Sequence, residues 1–197
     1  MVTTRHRLAI ADVFAPRSLA LTGSPAPRPT ARSAREWGEL LLAAGVPPPA
    51  ERQLYREWSG DVAWIAVTHL AVAERLLGRQ PRLTTDGPPF ALDVRTALQR
   101  RAGASERRPT GAELAAELSR HGSYTRERRC RELLGGPQGG AVTLGLLHAL
   151  ETMLGLAPPL VVGVEVAPTP GRRLSTVLEL ARSVPVPDFL DVPDLPW

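Results

Sequence analysis

From Tyr124 to Arg131 the chain reads Tyr-Thr-Arg-Glu-Arg-Arg-Cys-Arg, which sets four guanidinium groups within six residues. A guanidinium is a planar fork that meets a phosphate, a guanine edge or a carboxylate with two parallel hydrogen bonds. The spacing therefore points to nucleic acid, or to the acidic surface of a protein. Arg126, Arg128, Arg129 and Arg131 are the main candidate contacts, with Arg126 and Arg128 early enough in the element to reach base edges. Tyr124 and Thr125 support its start or touch phosphate, and Glu127 shares the same turn. Upstream, Arg107 and Arg108 are candidates to grip the backbone from a loop.

The surrounding charge is uneven. Arg95 to Arg131 holds ten Arg against four Glu, +6 in a chain whose net charge is +4, so the remainder carries −2. A basic module in a mildly acidic frame is expected of a nucleic-acid contact surface, although an Arg-rich set of solvated helix faces has the same composition. All 24 basic residues are Arg, a bias expected of a GC-rich coding sequence.

Other chemistries find no support. Gly135-Gly-Pro-Gln-Gly-Gly140 lacks the Gly-Lys-Ser/Thr of a phosphate-binding loop. The single Cys, Cys130, excludes a disulfide framework, and with His121 or His148 it has no ligand spacing; it reads as a buried side chain. The carboxylates are scattered. No catalytic residue, metal site or cofactor is expected, and the chain reads as a non-enzyme.

The elements that position the Arg cluster follow from apolar spacing and punctuation. Residues 1–30 end in a Pro-rich stretch and read as an extended arm. Helices are expected near 33–45, 49–59 and 61–78, making a helical association domain over 31–79, followed by a linker at 80–89. Trp37, Trp58 and Trp64 fall in that block, as core or as a self-association surface. No internal repeat is evident. The next helix runs from Phe90 to about Arg101. A capping box of Thr110 and Glu113 then opens a helix ended by Gly122, a third helix starts at Tyr124-Thr125 with Cys130, Leu133 and Leu134 inward, and a fourth starts near Thr143.

Two short helices around a turn, the second apolar inside and Arg-rich outside, make a helix-turn-helix pattern. Three stretches, Thr110-Gly-Ala-Glu-Leu-Ala-Ala-Glu-Leu118, Tyr124 to Gly136, and Thr143 to Pro158, resemble the second, recognition and closing helices of the XRE (Cro/C1-like) helix-turn-helix family. The resemblance is to its actinobacterial branch, with a long loop between helices one and two, and covers about 90–158. Gln, usual at the family's turn, is absent from both helices. The resemblance implies a domain at 88–158 that binds double-stranded DNA in the major groove as a homodimer on paired half-sites, with Cys130 and Leu133 buried and Thr125 to Arg129 facing the bases.

Beyond it, Leu160 to Val166 is expected as a strand that needs a partner, either Leu8 to Val13 or the same strand of a second chain, and a helix is expected near 172–183. The acidic, Pro-rich tail 185–197 either packs on its own domain or docks on a protein partner or on the basic surface. The longest apolar run, Ala63 to Leu77, contains Thr68, His69, Glu74 and Arg75 and is shorter than the roughly 20 residues of a bilayer span. Near the start, Asp12, Pro16 and Arg17 interrupt the apolar stretch after Arg5 and Arg7. No membrane association is expected, and the location is expected to be cytoplasmic and nucleoid-associated. The overall expectation is a mainly α chain: a four-helix DNA-binding domain, an N-terminal helical domain and a short mixed C-terminal extension. Its function is sequence-specific DNA binding in transcription regulation; the alternative is a protein-interaction adaptor whose Arg-rich face binds an acidic partner.

Overall fold

The computed structural model describes residues 3–15, 31–102 and 109–166. Arg107 and Arg108, the helix expected near 172–183 and the tail 185–197 lie outside them, as do residues 16–30 of the expected arm. Arg5–Val164 form one compact unit; of a second, Met1–Thr4 with Glu165–Trp197, only residues 3, 4, 165 and 166 are described.

The described residues are mainly helical: β1 (Thr3–Leu8), α1 (Ile10–Phe14), α2 (Ala34–Ala43), α3 (Glu51–Ser59), β2 (Trp64–Ala66), α4 (Val67–Leu76), α5 (Val94–Ala102), α6 (Gly111–Arg120), α7 (Glu127–Gly135), β3 (Ala141–Thr143), α8 (Leu144–Leu154) and β4 (Val161–Val166). No helix among them is long and apolar enough to cross a membrane.

Several expectations are met closely. Ser33 caps α2 by accepting from the Glu36 amide, and both halves of the Thr110/Glu113 capping box open α6. Others are corrected. Residues 3–15 are not an extended arm, since they form β1 and α1, with Phe14 tilted against Trp37 at 5.5 Å between ring centroids. The helix expected over 61–78 begins only at Val67, because Trp64–Ala66 is drawn into an antiparallel ladder with β3. The helix expected from Phe90 begins at Val94, because Leu92 is held in bridges to Thr84 and Gln138. The expected strand is present as β4, and its partner is β1, which overlaps the expected Leu8 to Val13 only at Leu8, with the next residue, Ala9, donating to Leu160 O.

The chain also contains the internal repeat that its sequence does not display. A constant offset of 77 residues matches α2 to α6 (Ala34 to Gly111), the buried Trp37 and Leu41 to Leu114 and Leu118, Gly45 to Gly122, Ile65 to Val142, Glu74 to Glu151, and Leu83 to Leu160. One residue fewer relates α3 to α7, placing Leu54 on Cys130 and Glu57 on Leu133, all buried. Hydrogen bonds repeat with the residues. The Val46 amide donates to Leu41 O at 2.9 Å as Ser123 does to Leu118 O, and Val67 donates to Gly140 O at 2.9 Å as Leu144 does to Ala63 O at 3.0 Å. In the β2–β3 ladder Ile65 faces its own counterpart Val142, with Trp64 opposite Thr143 and Ala66 opposite Ala141. A pair of equivalent residues at the centre of an antiparallel ladder is what a local twofold axis requires.

The ends exchange in the same way. After the first repeat Leu83 O accepts from the Asp93 amide at 2.6 Å, and after the second Leu160 O accepts from Ala9 at 2.7 Å. Leu92-Asp93-Val94 thus occupies for one half the place that Leu8-Ala9-Ile10 occupies for the other. The buried side chains of both halves belong to a single cluster.

Each half closes on a buried carboxylate in the last turn of its helix. Glu74 accepts from Leu83 N (2.9 Å), Thr84 N (3.1 Å) and Thr84 Oγ1 (2.7 Å). Glu151 accepts from Leu160 N and Val161 N, both at 2.9 Å, and from Arg79 at 2.6 Å. These carboxylates satisfy amides that would otherwise be orphaned inside the protein.

Candidate binding face

The Arg cluster sits on a two-helix corner. α6 is amphipathic, with Leu114 and Leu118 buried, and its N-terminus approaches α7 so closely that a Cβ on Gly111 would lie 3.2 Å from both Arg131 N and Glu127 O. Glycine lets the two backbones approach this closely, where a Cβ would also press on the Arg131 side chain. The second helix starts later than the sequence suggests. Arg126 is its N-cap and Glu127 its first residue, so Tyr124 and Thr125 belong to the turn.

Cys130 and Leu133 hold α7 to the core, as expected. Burial pushes the Cys130 thiol above its ordinary range, reinforced by Glu127 and opposed by Arg129. A buried thiol kept protonated is a packing group, not a nucleophile.

The other side of α7 faces water. Tyr124 is 90% exposed, and the Arg128 side chain is 88% exposed. Thr125 is half-buried, its hydroxyl 3.2 Å from that of Ser123. The guanidinium groups do not form an uncompensated patch. Arg128 Nε is 3.3 Å from Glu132 Oε1, Arg129 NH1 is 3.1 Å from Glu132 Oε2, and Arg131 Nε is 3.5 Å from Glu127 Oε1. These are helical i,i+3 and i,i+4 pairs. Hydrogen bonding to Arg129 is the main reason the Glu132 carboxyl lies below its ordinary range. Arg126 is exposed and has no such partner among the described residues.

Charge along α6 and α7 is accordingly close to balanced. Residues 109–156 hold five Arg (120, 126, 128, 129, 131) and five Glu (113, 117, 127, 132, 151), and since Glu151 is buried against Arg79, five Arg face four Glu at the surface. The excess noted in the sequence resides in Arg95, Arg100 and Arg101 of α5 and in Arg107 and Arg108. Of these, Arg100 is paired with Asp86 at 2.9 Å.

The repeat reveals a second corner, α2–α3, that sequence reasoning did not treat as a candidate face. Glu51-Arg52-Gln53-Leu54 on α3 matches Glu127-Arg128-Arg129-Cys130 on α7, and this shared Glu-Arg start was the available signal. Arg52 and Tyr55 are exposed on α3, the latter at 64%, and Leu42 near the end of α2 is also 64% exposed.

Comparison with known protein families, curated proteins and solved structures finds no match to this chain.

Proposed function

We propose that this chain is a non-enzymatic interaction module that binds a protein partner through its two helical corners, α2–α3 and α6–α7. The observation that carries this reading is the character of the exposed faces: Tyr55, Leu42 and Tyr124 stand in water, and near Tyr124 the guanidinium groups of Arg128, Arg129 and Arg131 already face the carboxylates of Glu132 and Glu127. Exposed aromatic residues mixed with Arg are typical of protein interfaces. A surface that binds DNA chiefly by neutralising phosphates needs a net excess of cations, and the α6–α7 face, with five Arg against four Glu, has an excess of only one. An acidic segment of the partner would compete with Glu132 for Arg128 and Arg129.

A second reading rests on the α6–turn–α7 arrangement and on Arg126, which has no ion pair among the described residues: a DNA-binding regulator with α7 in the major groove, acting as a homodimer on paired half-sites. Two measurements divide the readings. Fluorescence anisotropy against the upstream DNA of its own gene and a scrambled duplex, at two salt concentrations, gives equal and salt-erased binding for the interaction module. Retention of the upstream duplex alone at the higher salt, weakened by Arg126→Ala or Arg128→Ala, overturns it in favour of DNA. A photo-crosslinking residue at Tyr55 or Tyr124, in the source cell, yields protein adducts that diminish with Arg128→Glu on the first reading. DNA adducts, or none, overturn it.

A further inference from the structure

The charge surplus of the chain lies away from α7. Residues 75–101 hold six Arg and two Asp, an excess of four that equals the net charge of the whole chain. Arg79 is paired inside the protein with Glu151, and three of the others converge on one exposed residue, Asp86. Arg82 NH1 donates to Asp86 Oδ1 at 3.3 Å, Arg100 NH2 donates to Oδ2 at 2.9 Å, and Arg75 donates to the Asp86 carbonyl. The three come from separate places in the fold: Arg75 from the last turn of α4, Arg82 from the segment after it, and Arg100 from the last turn of α5. Among the described residues no second carboxylate pairs with any of them, so three positive charges meet one negative.

The cluster is held in place on both sides. Arg75 lies over the Phe90 ring, 4.4 Å from its centroid. Thr85 fixes the turn that carries Asp86, its hydroxyl accepting from Ala91 N at 3.0 Å and lying 3.2 Å from the Gly87 and Pro89 carbonyls. The Asp86 carboxyl is held below its ordinary range, first by the hydrogen bond and charge of Arg100 and then by the charges of Arg82 and Arg75, so the fields of all three reach this point. The fold does not demand these cations. The offset of 77 residues puts Thr152 and Pro159 where Arg75 and Arg82 stand, and the second half closes around Glu151 without a cation at either position.

We infer that Arg75, Arg82 and Arg100 form a binding site for the terminal phosphoryl group of a small phosphomonoester, whose place the Asp86 carboxylate takes when no ligand is bound. A carboxylate offers two oxygens and one charge, and leaves a residual charge of two in the cluster. A phosphomonoester at neutral pH carries about −1.5 to −2 charge on three terminal oxygens, which cancels that residue and gives each guanidinium an acceptor of its own. Arg82 and Arg100 each spend a single N–H on Asp86, and the Asp86 side chain is 61% exposed, so its contacts can pass to a ligand arriving from water. The site shares no residue with the α6–α7 face and stands whether that face binds protein or DNA.

The test titrates the whole chain with methyl phosphate and with dimethyl phosphate near neutral pH at constant ionic strength. The readout is the NMR shift of the Asp86 and Gly87 amides and of the Nε–H groups of Arg82 and Arg100. Methyl phosphate, a dianion, is expected to shift these signals saturably at millimolar concentration, and dimethyl phosphate, a monoanion, at least about tenfold more weakly. Arg100→Gln, at an exposed helix position, is expected to weaken methyl phosphate at least about fivefold. Asp86→Asn, which removes the internal competitor, is expected to strengthen it at least about threefold, with the rest of the spectrum in place for both variants. No saturable shift, equal response to the two esters, affinity unchanged by Arg100→Gln, or no gain in Asp86→Asn overturns the inference. A short DNA duplex that shifts the same signals at lower concentration than methyl phosphate also overturns it, by assigning the cluster to a nucleic-acid backbone.

Discussion

The halves 31–84 and 109–161 share one backbone plan and differ in what fills it. In the first, α3 and α4 meet through a buried dyad, His69 Nδ1 at 2.9 Å from Glu57 Oε2, the side chains 7% and 1% exposed. In the second, the same positions are Leu133 and Leu146, both buried. Glu74 is served by a hydroxyl and two amides, whereas Glu151 trades the hydroxyl, absent from Val161, for the guanidinium of Arg79, borrowed from the other half. The plan therefore requires a filled volume and a satisfied carboxylate at these places, and is indifferent to how each is supplied. Polar and apolar solutions of similar volume exchange readily in protein interiors, provided no charge is left alone.

Leaving a charge alone should accordingly have the largest effect. Arg79 is 1% exposed at its side chain, pairs with Glu151 and also donates to the Pro158 carbonyl. Arg79→Met strands Glu151, with an expected loss of about 3–5 kcal/mol in urea unfolding; a loss below about 1 kcal/mol would mean that the amides of Leu160 and Val161 suffice alone. His69→Leu strands Glu57 in the same way and should cost a comparable amount, but Glu57→Leu/His69→Leu converts the first half to the chemistry of the second. The double variant is expected to return to within about 1 kcal/mol of wild type or above it. Failure to recover would show that the two interiors are not interchangeable.

A smaller change separates the carboxylates. Thr84→Val copies Val161 and removes one donor from Glu74, for an expected cost of about 1–3 kcal/mol. Val161→Thr offers Glu151 nothing it lacks and should shift the unfolding midpoint far less.

The smallest effects are in pH dependence. Burial holds the Glu74 carboxyl above its ordinary range, against bonds from Leu83 and Thr84 and the field of Arg79. As pH rises, the unfolded chain releases this proton before the folded one does. The contribution of Glu74 to stability therefore falls as pH climbs from the ordinary carboxylate value through the raised one. His6 behaves oppositely. Its pKa is lowered by burial and by His148, whose ring centroid is 4.9 Å away. The unfolded chain takes up that proton first, so this contribution is lost as pH falls from the ordinary histidine value through the lowered one. Glu74→Gln should remove the first slope and His6→Gln the second, read from urea midpoints between about pH 4 and 7. Slopes unchanged by the substitutions would assign the pH dependence to other groups.

Local signals in the sequence located most of the helices and two of their starts. Ser33 and Thr110 act through hydrogen bonds to amides three residues away, and Gly45 and Gly122 reverse the chain at positive φ, 76° and 81°. The Arg-rich start of α7 was legible in composition but not in charge state, because pairing depends on which side chains meet: Arg128 and Arg129 share Glu132, while Arg126 has no ion pair among the described residues.

The sequence by itself determined a mainly helical chain, its capping and turn residues, and the buried stripe of α6 and α7, since each depends on neighbours within about one or two turns. Only the tertiary structure decided the duplication, the β2–β3 and β1–β4 pairings and the buried pair of Arg79 and Glu151. Equivalent positions such as Trp37 and Leu114, or Glu57 and Leu133, have burial in common and not chemistry. Strands of three residues carry no periodicity, and a partner 72 positions away is chosen by the shape of the closed core, where an unpaired charge or amide has no water to turn to.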